Sequence, residues 1–208
     1  MPRALPVKPQ RKQADDSVFL NVPYDPSFSP QLLAYVCGIC AFGLIPRVTL
    51  EIQGGVRRLD RIAALLESCR YSIHDLSWVV LDPTPPPTPR FNMPFELGLC
   101  VLHAMRAEGR HTWFLFESTP WRLQKSLSDL NGTDPYIHDN TVDGVFRELA
   151  KAFVRTGRQP SVKQMRWLYD RLTLSLPRIL TDAAATDPFN ARAFTDIVVF
   201  TSALAQSL

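Results

Sequence analysis

The chain has 208 residues, of which 46% are hydrophobic and 21% charged, so it can bury a core large enough for one domain and an extension. Its net charge of +3 is too small for a dedicated nucleic-acid binder, although arginine near a pocket suits a phosphate-bearing small molecule. No apolar run approaches the roughly 20 residues of a membrane span, and the N-terminus lacks a signal-peptide core, so we expect a cytoplasmic protein without membrane or direct nucleic-acid partners.

The polar, proline-containing residues 1–16 are predicted to form a disordered arm. After them, short apolar runs alternate with helix-length stretches, which predicts a mostly parallel sheet covered by helices on both faces. The predicted strands are 17–22, 46–50, 71–76 and 112–116, and the predicted helices are 30–42, 56–69, 94–107 and 141–154. The proline-rich segment 82–90 predicts a stiff surface loop, because proline cannot continue a helix or a central strand.

Residues 156–160 are a candidate boundary, because glycine and proline punctuate the chain there. The sequence therefore predicts an α/β domain over 17–155 and a helical extension over 156–208. Within the extension, Pro177 separates predicted helices at 161–176 and 191–205. The last helix is apolar over much of its surface, so we expect it to pack on the domain or to join a second copy in a homo-oligomer.

The chain has four cysteines, and two of them, Cys37 and Cys40, form a C-x-x-C inside the apolar run LLAYVCGICAFGL. No second cysteine or histidine pair follows at a spacing typical of zinc sites. The pattern favours reduced cysteines in the core, with a redox motif as the alternative.

Polar residues follow each predicted strand. Ligands of an open parallel sheet bind beyond the carboxyl ends of its strands, so these residues, together with the helix entry RFNMPFELG, predict one pocket. The candidate site residues are Asn21, Pro23, Tyr24, Glu51, Asp75, Arg90, Phe91, Asn92, Met93 and Glu96.

Glu96 is the acid of the RFNMPFELG segment. With Pro94 as the first helical residue, Glu96 is predicted in the first turn, where a carboxylate meets the positive end of the helix dipole and caps the helix. The same dipole keeps the carboxylate ionised, so the functional interpretation is a nucleophile or cation stabiliser in a pocket. The capping and functional interpretations do not exclude each other.

The other polar candidates also have structural interpretations. Asp75 is a turn or capping acid in one interpretation, and His74 is a packed, hydrogen-bonded histidine on a strand. Arg90 pairs with a pyrophosphate or is simply solvated, and the rings of Tyr24 and Phe91 stack on a base or cover the core. Two residues of a downstream turn segment are ranked below these as pocket neighbours, namely Asp134 and His138.

Four segments, FLNVPYDPSF, LIPRVTLE, RRLDRIAALLESCRYSIHDLS and PRFNMPFELG, occur in this order. They resemble a bacterial family related to TIR domains and to nucleoside 2-deoxyribosyltransferases, over residues 17–153. The resemblance implies a flavodoxin-like sheet and the cleavage or exchange of N-glycosidic bonds by a glutamate at the start of a helix. Glu96 matches that glutamate, and Asp75 matches an acid that helps the deoxyribosyltransferases hold the sugar.

The resemblance has one departure, because deoxyribosyltransferases usually approach their glutamate through small residues that include glycine, whereas this chain has RFNM. Nucleoside transfer is therefore the third choice of function. The first is hydrolysis of NAD, a substrate and not a cofactor, and it implies a role in bacterial defence. The second is a non-catalytic TIR-like nucleotide sensor or self-associating scaffold. Neither a metal nor a cofactor is predicted.

The first choice has a simple chemistry. Cleavage of a ribosyl bond passes through an oxocarbenium-like cation, which the Glu96 carboxylate would stabilise or trap. Nicotinamide leaves NAD as a neutral molecule from a cationic linkage, so it needs no strong general acid. A purine nucleoside needs one, and Asp75 and His74 are the nearby candidates.

Overall fold

A computed structural model of the chain describes residues 14–51, 57–154 and 158–208. The predicted α/β architecture is confirmed, with a five-stranded parallel sheet, helices on both faces and further helices at the C-terminal end. The strands are β1 (Ala14–Asn21), β2 (Ile45–Arg47), β3 (Cys69–Asp75), β4 (Leu81–Asp82), β5 (Thr88–Pro89), β6 (Thr112–Glu117) and β7 (Tyr136–Ile137). The helices are α1 (Ser29–Ala41), α2 (Arg58–Ser68), α3 (Asn92–Arg106), α4 (Arg122–Ser126), α5 (Val142–Ala152), α6 (Val162–Asp182) and α7 (Ala191–Ala205).

The strand order in the parallel sheet is β2-β1-β3-β6-β7. Counted among these strands alone, it is the 2-1-3-4-5 order of flavodoxin-like sheets. From β1 the chain adds β2 on one side of the sheet and then β3, β6 and β7 on the other, so the strand order reverses between β1 and β3. The connections that follow these two strands therefore cover opposite faces of the sheet. Their carboxyl ends, where Asn21 lies beside His74, therefore border a crevice in which such sheets bind ligands.

Helix α1 is the centre of the core. Every residue from Gln31 to Ala41 is buried, because α1 packs against α5, α6 and α7 as well as against the sheet. A helix that is apolar all round must be covered on every side, and the C-terminal helices supply part of that cover. Phe194 and Ile197 of α7 belong to the same core cluster as α1, so the apolar surface of the last helix packs on the domain.

The four cysteines are free and buried, which confirms the prediction for them. Desolvation raises the pKa of Cys37 well above its ordinary value and that of Cys40 to about 11. A redox motif needs a readily formed thiolate, so the C-x-x-C is a packing feature of α1.

The N-terminal part of the sheet differs from the prediction in two places. Strand β1 begins at Ala14, inside the predicted arm, and residues 1–13 of that arm lie outside the described residues. Strand β2 ends at Arg47, and a 3-10 helix over Thr49–Glu51 replaces the rest of the predicted strand. The turn forms because the Glu51 carboxylate accepts hydrogen bonds from the Val48 amide at 2.8 Å and from the Arg47 Nε at 2.6 Å. Residues 52–56, which follow, lie outside the described residues.

Helix α6 was predicted to stop before Pro177 but continues through it to Asp182. Pro177 lies on the exposed side of α6, so the backbone carbonyl that it leaves without a helical partner can bond to water. The predicted boundary before this helix, 156–160, falls partly on residues 155–157, outside the described residues.

Strands β4, β5 and β7 and helix α4 are short, and none of them was predicted. The ends of the proline-rich segment pair as an antiparallel hairpin, β4 with β5, so that segment is not wholly a loop. Helix α4 and the two-residue edge strand β7 follow β6, in a region whose turn signals dominate its sequence. No helix in the described ranges combines the length and the apolarity needed to cross a membrane.

Candidate functional site

A cavity of about 290 Å³ lies beyond the carboxyl ends of β1 and β3, and we call it the first cavity. It is lined by Val22, Pro23, Tyr24, Arg58, Trp78, Arg90, Asn92 and Met93. Five of these residues were predicted to bind a substrate, and three were not, namely Val22, Arg58 and Trp78. Trp78 follows the third strand closely, and this position was the only sequence signal for it.

The first turn of α3 differs from the prediction. The helix begins at Asn92, so Pro94 is its third residue and Glu96 its fifth. The amide of a third helical residue also lacks an intrahelical partner, so proline fits there as well as at the first position. The prediction that Glu96 caps the helix from its first turn is therefore wrong.

Glu96 is not among the residues that line the first cavity, but it pairs with one of them, Arg58. Asn92 and Met93, four and three residues earlier, line the cavity, and helical geometry puts Glu96 on the same side of α3. The residue is only 4% exposed. Its Oε1 accepts a hydrogen bond from the Arg58 guanidinium at 3.0 Å, and its Oε2 has no hydrogen-bond partner within the described part of the chain.

The Glu96 carboxyl group is poorly solvated. Burial raises the pKa of Glu96, and the nearby Arg58 guanidinium offsets only part of that rise. Arg58 lines the cavity and its side chain is 58% exposed, so the pair is open to displacement from the solvent side. One carboxylate oxygen next to a cavity is thus available for a further interaction.

Two aromatic residues, Tyr24 and Trp78, and a second arginine, Arg90, also line the first cavity. Burial raises the pKa of Tyr24, whose hydroxyl lies 2.7 Å from the Thr49 hydroxyl, so the ring presents a protonated phenol to the cavity. The Arg90 guanidinium lies over the Trp78 ring, 6.0 Å from its centre. Its nitrogens are 4.0 Å from the Asp25 carboxylate and 3.8 Å from the Asp82 carboxylate, too far for hydrogen bonds. These long contacts leave the Arg90 guanidinium able to bind an anion.

Asp75 does not line the first cavity and is fully buried. Its Oδ2 accepts from the Tyr35 hydroxyl at 2.7 Å and lies 3.2 Å from the His138 Nε2, while its Oδ1 accepts from the Ser77 amide at 2.8 Å. Burial by itself would raise the pKa of Asp75, but the hydrogen bonds from His138 and Ser77 outweigh it and leave the pKa below its ordinary value. The Asp75 carboxylate is therefore ionised, and its oxygens are occupied by the protein.

Four other predicted residues take different places. The Asn21 amide donates to the His74 Nδ1 at 3.0 Å and to the Met93 carbonyl at 3.4 Å, so it connects β1, β3 and α3. Glu51 pairs with Arg47, as described above, and Asp134 is exposed; neither of them lines the cavity. His138 is fully buried with Asp75. Position 144, in the first turn of α5, is a glycine, because a Cβ there would lie 1.9 Å from the His138 carbonyl oxygen.

A second cavity, of about 190 Å³, lies on the other side of the segment that enters α3. It is lined by Leu76, Val79, Phe91, Pro94, Glu117, Arg122, Ser126 and Leu127. Phe91, which was predicted in the same pocket as Arg90, lines this second cavity. The two cavities are separated by residues 76–80 and 90–94, which are joined by a hydrogen bond from the Arg90 amide to the Val80 carbonyl.

Behind Asn21, a chain of hydrogen bonds runs through the buried side of β3. It leads from His74 Nε2 to the Ser72 hydroxyl at 3.1 Å, from there to His111 Nε2 at 2.9 Å, and from His111 Nδ1 to the Cys69 carbonyl at 2.9 Å. The donors and acceptors match when both histidines are neutral, because Asn21 donates to one end and a carbonyl accepts at the other. Burial, with the nearby His111, lowers the pKa of His74 to about 3.

This arrangement predicts acid sensitivity. Because the pKa of His74 is about 3 in the fold and about 6.5 in the unfolded chain, the unfolded state binds more protons between these two values. The free energy of unfolding should therefore be unaffected by His74 above pH ~6.5 and fall below it, by about 1.4 kcal/mol per pH unit. Urea unfolding of the wild type and of His74→Asn at a series of pH values isolates this slope, because other groups titrate in both proteins. Equal slopes in the two proteins would contradict it.

Comparison of the chain with protein-family models, with curated proteins and with solved structures found no match. Within the described ranges, no group of three or more histidines, cysteines or acids is placed to hold a metal ion. A function is therefore inferred from the residues around the two cavities.

Proposed function

We propose that the protein binds a nucleotide in the first cavity and hydrolyses its N-glycosidic bond, with NAD as the preferred substrate. Glu96 would be the carboxylate that stabilises or traps the ribosyl cation. The observation that carries this proposal is the position of Glu96, a buried acid one helical turn from cavity residues, with one oxygen that has no hydrogen-bond partner among the described residues.

The reaction needs little more than a fixed negative charge. The bond between the ribose C1′ and the nicotinamide nitrogen breaks, and its electron pair neutralises the pyridinium ring as nicotinamide leaves. A carboxylate in a poorly solvated site interacts strongly with the cation that forms at C1′. Water then bonds to C1′ and releases its proton to Glu96 or to solvent, which yields ADP-ribose.

The state of the neighbouring acids favours a substrate that needs no protonated leaving group. Asp75 is ionised and surrounded by its own donors, and His74 is neutral with both ring nitrogens engaged. Glu96 pairs with the cavity residue Arg58, whereas the side-chain partners of Asp75 and His74 within the described ranges are not cavity residues. A purine nucleoside, whose base departs well only when it is protonated, would lack a donor from either residue, whereas NAD does not need one.

The cavity walls suit the rest of a nucleotide. Arg58 and Arg90 line the cavity, and the Arg90 guanidinium, held only by long contacts to Asp25 and Asp82, suits a pyrophosphate. Tyr24 and Trp78 present aromatic surface on which a base or ring can stack. The bulky entry RFNM, which departs from the glycine-containing approach of the deoxyribosyltransferases, contributes three of the residues on this wall.

The proposal is tested by incubating the purified full chain with NAD, with 2′-deoxyinosine and with 2′-deoxycytidine plus an acceptor base, and separating the products by chromatography. We expect nicotinamide and ADP-ribose from NAD, and base release from the deoxynucleosides slower by at least about 100-fold, because general-acid assistance is absent. Binding of NAD without any turnover would favour the nucleotide sensor. Neither binding nor turnover would favour the scaffold, and faster base exchange than NAD hydrolysis would favour the deoxyribosyltransferase.

A further inference from the structure

We infer that the second cavity binds the second base of a dinucleotide whose reacting half occupies the first cavity. This inference rests on the proposed function, in which NAD is the preferred substrate, and deepens it by assigning a site to the second base. It starts from the way in which the two cavities share one wall.

Consecutive residues of that wall face different cavities. Arg90 and Asn92 line the first cavity, whereas Phe91, between them in the chain, lines the second. The same alternation occurs after β3, where Trp78 lines the first cavity and Val79 the second. The two cavities therefore share these two chain segments as a common wall, and a dinucleotide with one base in each cavity would carry its pyrophosphate over the rim of that wall.

The sizes of the cavities point to the same conclusion. Pockets for small molecules typically have volumes of about 300 to 1,000 Å³. The first cavity, at about 290 Å³, lies at the lower end of this range, and the second, at about 190 Å³, lies below it, so a ligand as large as a dinucleotide would need both. A ligand with two separate ring systems matches this division better than a single nucleoside does.

The second cavity has the chemistry of a base site and not of a phosphate site. Its charged residues neutralise each other, because Arg122 donates to both oxygens of the buried Glu117 carboxylate, at 2.7 and 2.9 Å, and to the Leu76 carbonyl. The remaining lining is mostly apolar, and Phe91 presents a ring that is 62% exposed. An uncharged aromatic ligand would cover that ring, while the phosphates would stay on the side of Arg90.

The test compares the dissociation constants of NAD and of nicotinamide mononucleotide, which lacks the second base. Glu96→Gln protein is used so that the ligand is not consumed during the titration. We expect NAD to bind more tightly than the mononucleotide by about tenfold, and adding Phe91→Ala to lower that ratio by about fivefold or more. Phe95→Ala is the matched control, because Phe95 is a similarly exposed residue of α3 (58%) that lines neither cavity.

Equal affinities for NAD and the mononucleotide, or an unchanged ratio in the Phe91→Ala protein, would overturn the second-base site. A ratio that falls equally in the Phe95→Ala protein would overturn it too. Each of these results is compatible with NAD hydrolysis by the wild type, which the product assay measures separately. Failure of the second-base site and failure of the proposed function are thus distinguishable.

Discussion

Replacement of Glu96 by glutamine is expected to lower kcat/KM for NAD hydrolysis by at least about 1,000-fold, since removal of one preorganised polar group from an active site typically costs 10² to 10³ and here a full charge is lost. The amide keeps the size of the side chain and can still accept a hydrogen bond from Arg58, which lies 3.0 Å from Oε1 in the wild type. The fold should therefore survive. The loss should fall mainly on kcat, because the charge opposes a cation that exists only in the transition state.

The chain offers a matched control for this substitution. Glu148 on α5 is another buried glutamate whose side-chain oxygen pairs with one exposed cation, Lys151, at 2.6 Å. The side chains of Glu148 and Glu96 are 8% and 5% exposed, so the two substitutions perturb similar surroundings. Glu148→Gln should retain most of the activity. If both variants lose activity to the same extent while remaining folded, Glu96 has no special part in the chemistry.

The α/β architecture could be predicted because its signals are local. The near-continuous apolar strands and the all-round apolar α1 can be recognised from a few neighbouring residues each. Topology then placed the candidate site, since polar residues after parallel strands meet at one edge of the sheet. Pro23 and Tyr24 follow β1, Arg90 precedes α3, and Asn92 and Met93 begin it, so they line the same cavity for that reason.

The remaining parts of the site depend on contacts between distant segments. Arg58 pairs with Glu96 across 38 residues, and only the packing of α2 beside α3 brings them together. The start of α3 was misplaced because proline is tolerated at both the first and the third helical position, so Pro94 alone did not fix the register. The partners of Asp75 were likewise hidden, because Tyr35 lies 40 residues before it in the chain.

The two acids that the sequence placed in one pocket have opposite surroundings. Burial raises the pKa of Glu96, whose one hydrogen-bond partner in the part of the chain that the structure describes is Arg58. The pKa of Asp75 is lowered despite deeper burial, because several donors converge on its two oxygens. Environments that separate the pKa values of paired acids usually separate their roles as well. Glu96 is suited to meet a substrate, whereas Asp75 joins α1, β3 and the segment after β7.

Replacement of Asp75 by alanine is consequently expected to lower the free energy of unfolding by about 3 to 5 kcal/mol, a large share of the 5 to 15 kcal/mol that holds an ordinary domain together. The change leaves the donors of Tyr35, Ser77 and His138 buried without their acceptor, and each unsatisfied group adds its own desolvation cost. Urea unfolding at pH 7 measures the loss. Asp182→Ala is the control, because its pair with Arg178 is exposed and should contribute less than about 1 kcal/mol.

The outcome for Asp75 also decides how far the resemblance to the deoxyribosyltransferases extends. In those enzymes the matching acid helps to hold the sugar, which requires a carboxylate oxygen that faces the ligand. Here the cavity is lined by other residues, and the Asp75 oxygens face Tyr35, Ser77 and His138. If Asp75→Ala were folded and within about 1 kcal/mol of the wild type yet inactive, the carboxylate would have to reach the substrate, and the site would extend beneath β3. Loss of stability with activity retained by the folded fraction would instead leave Glu96 as the acid that contacts the sugar.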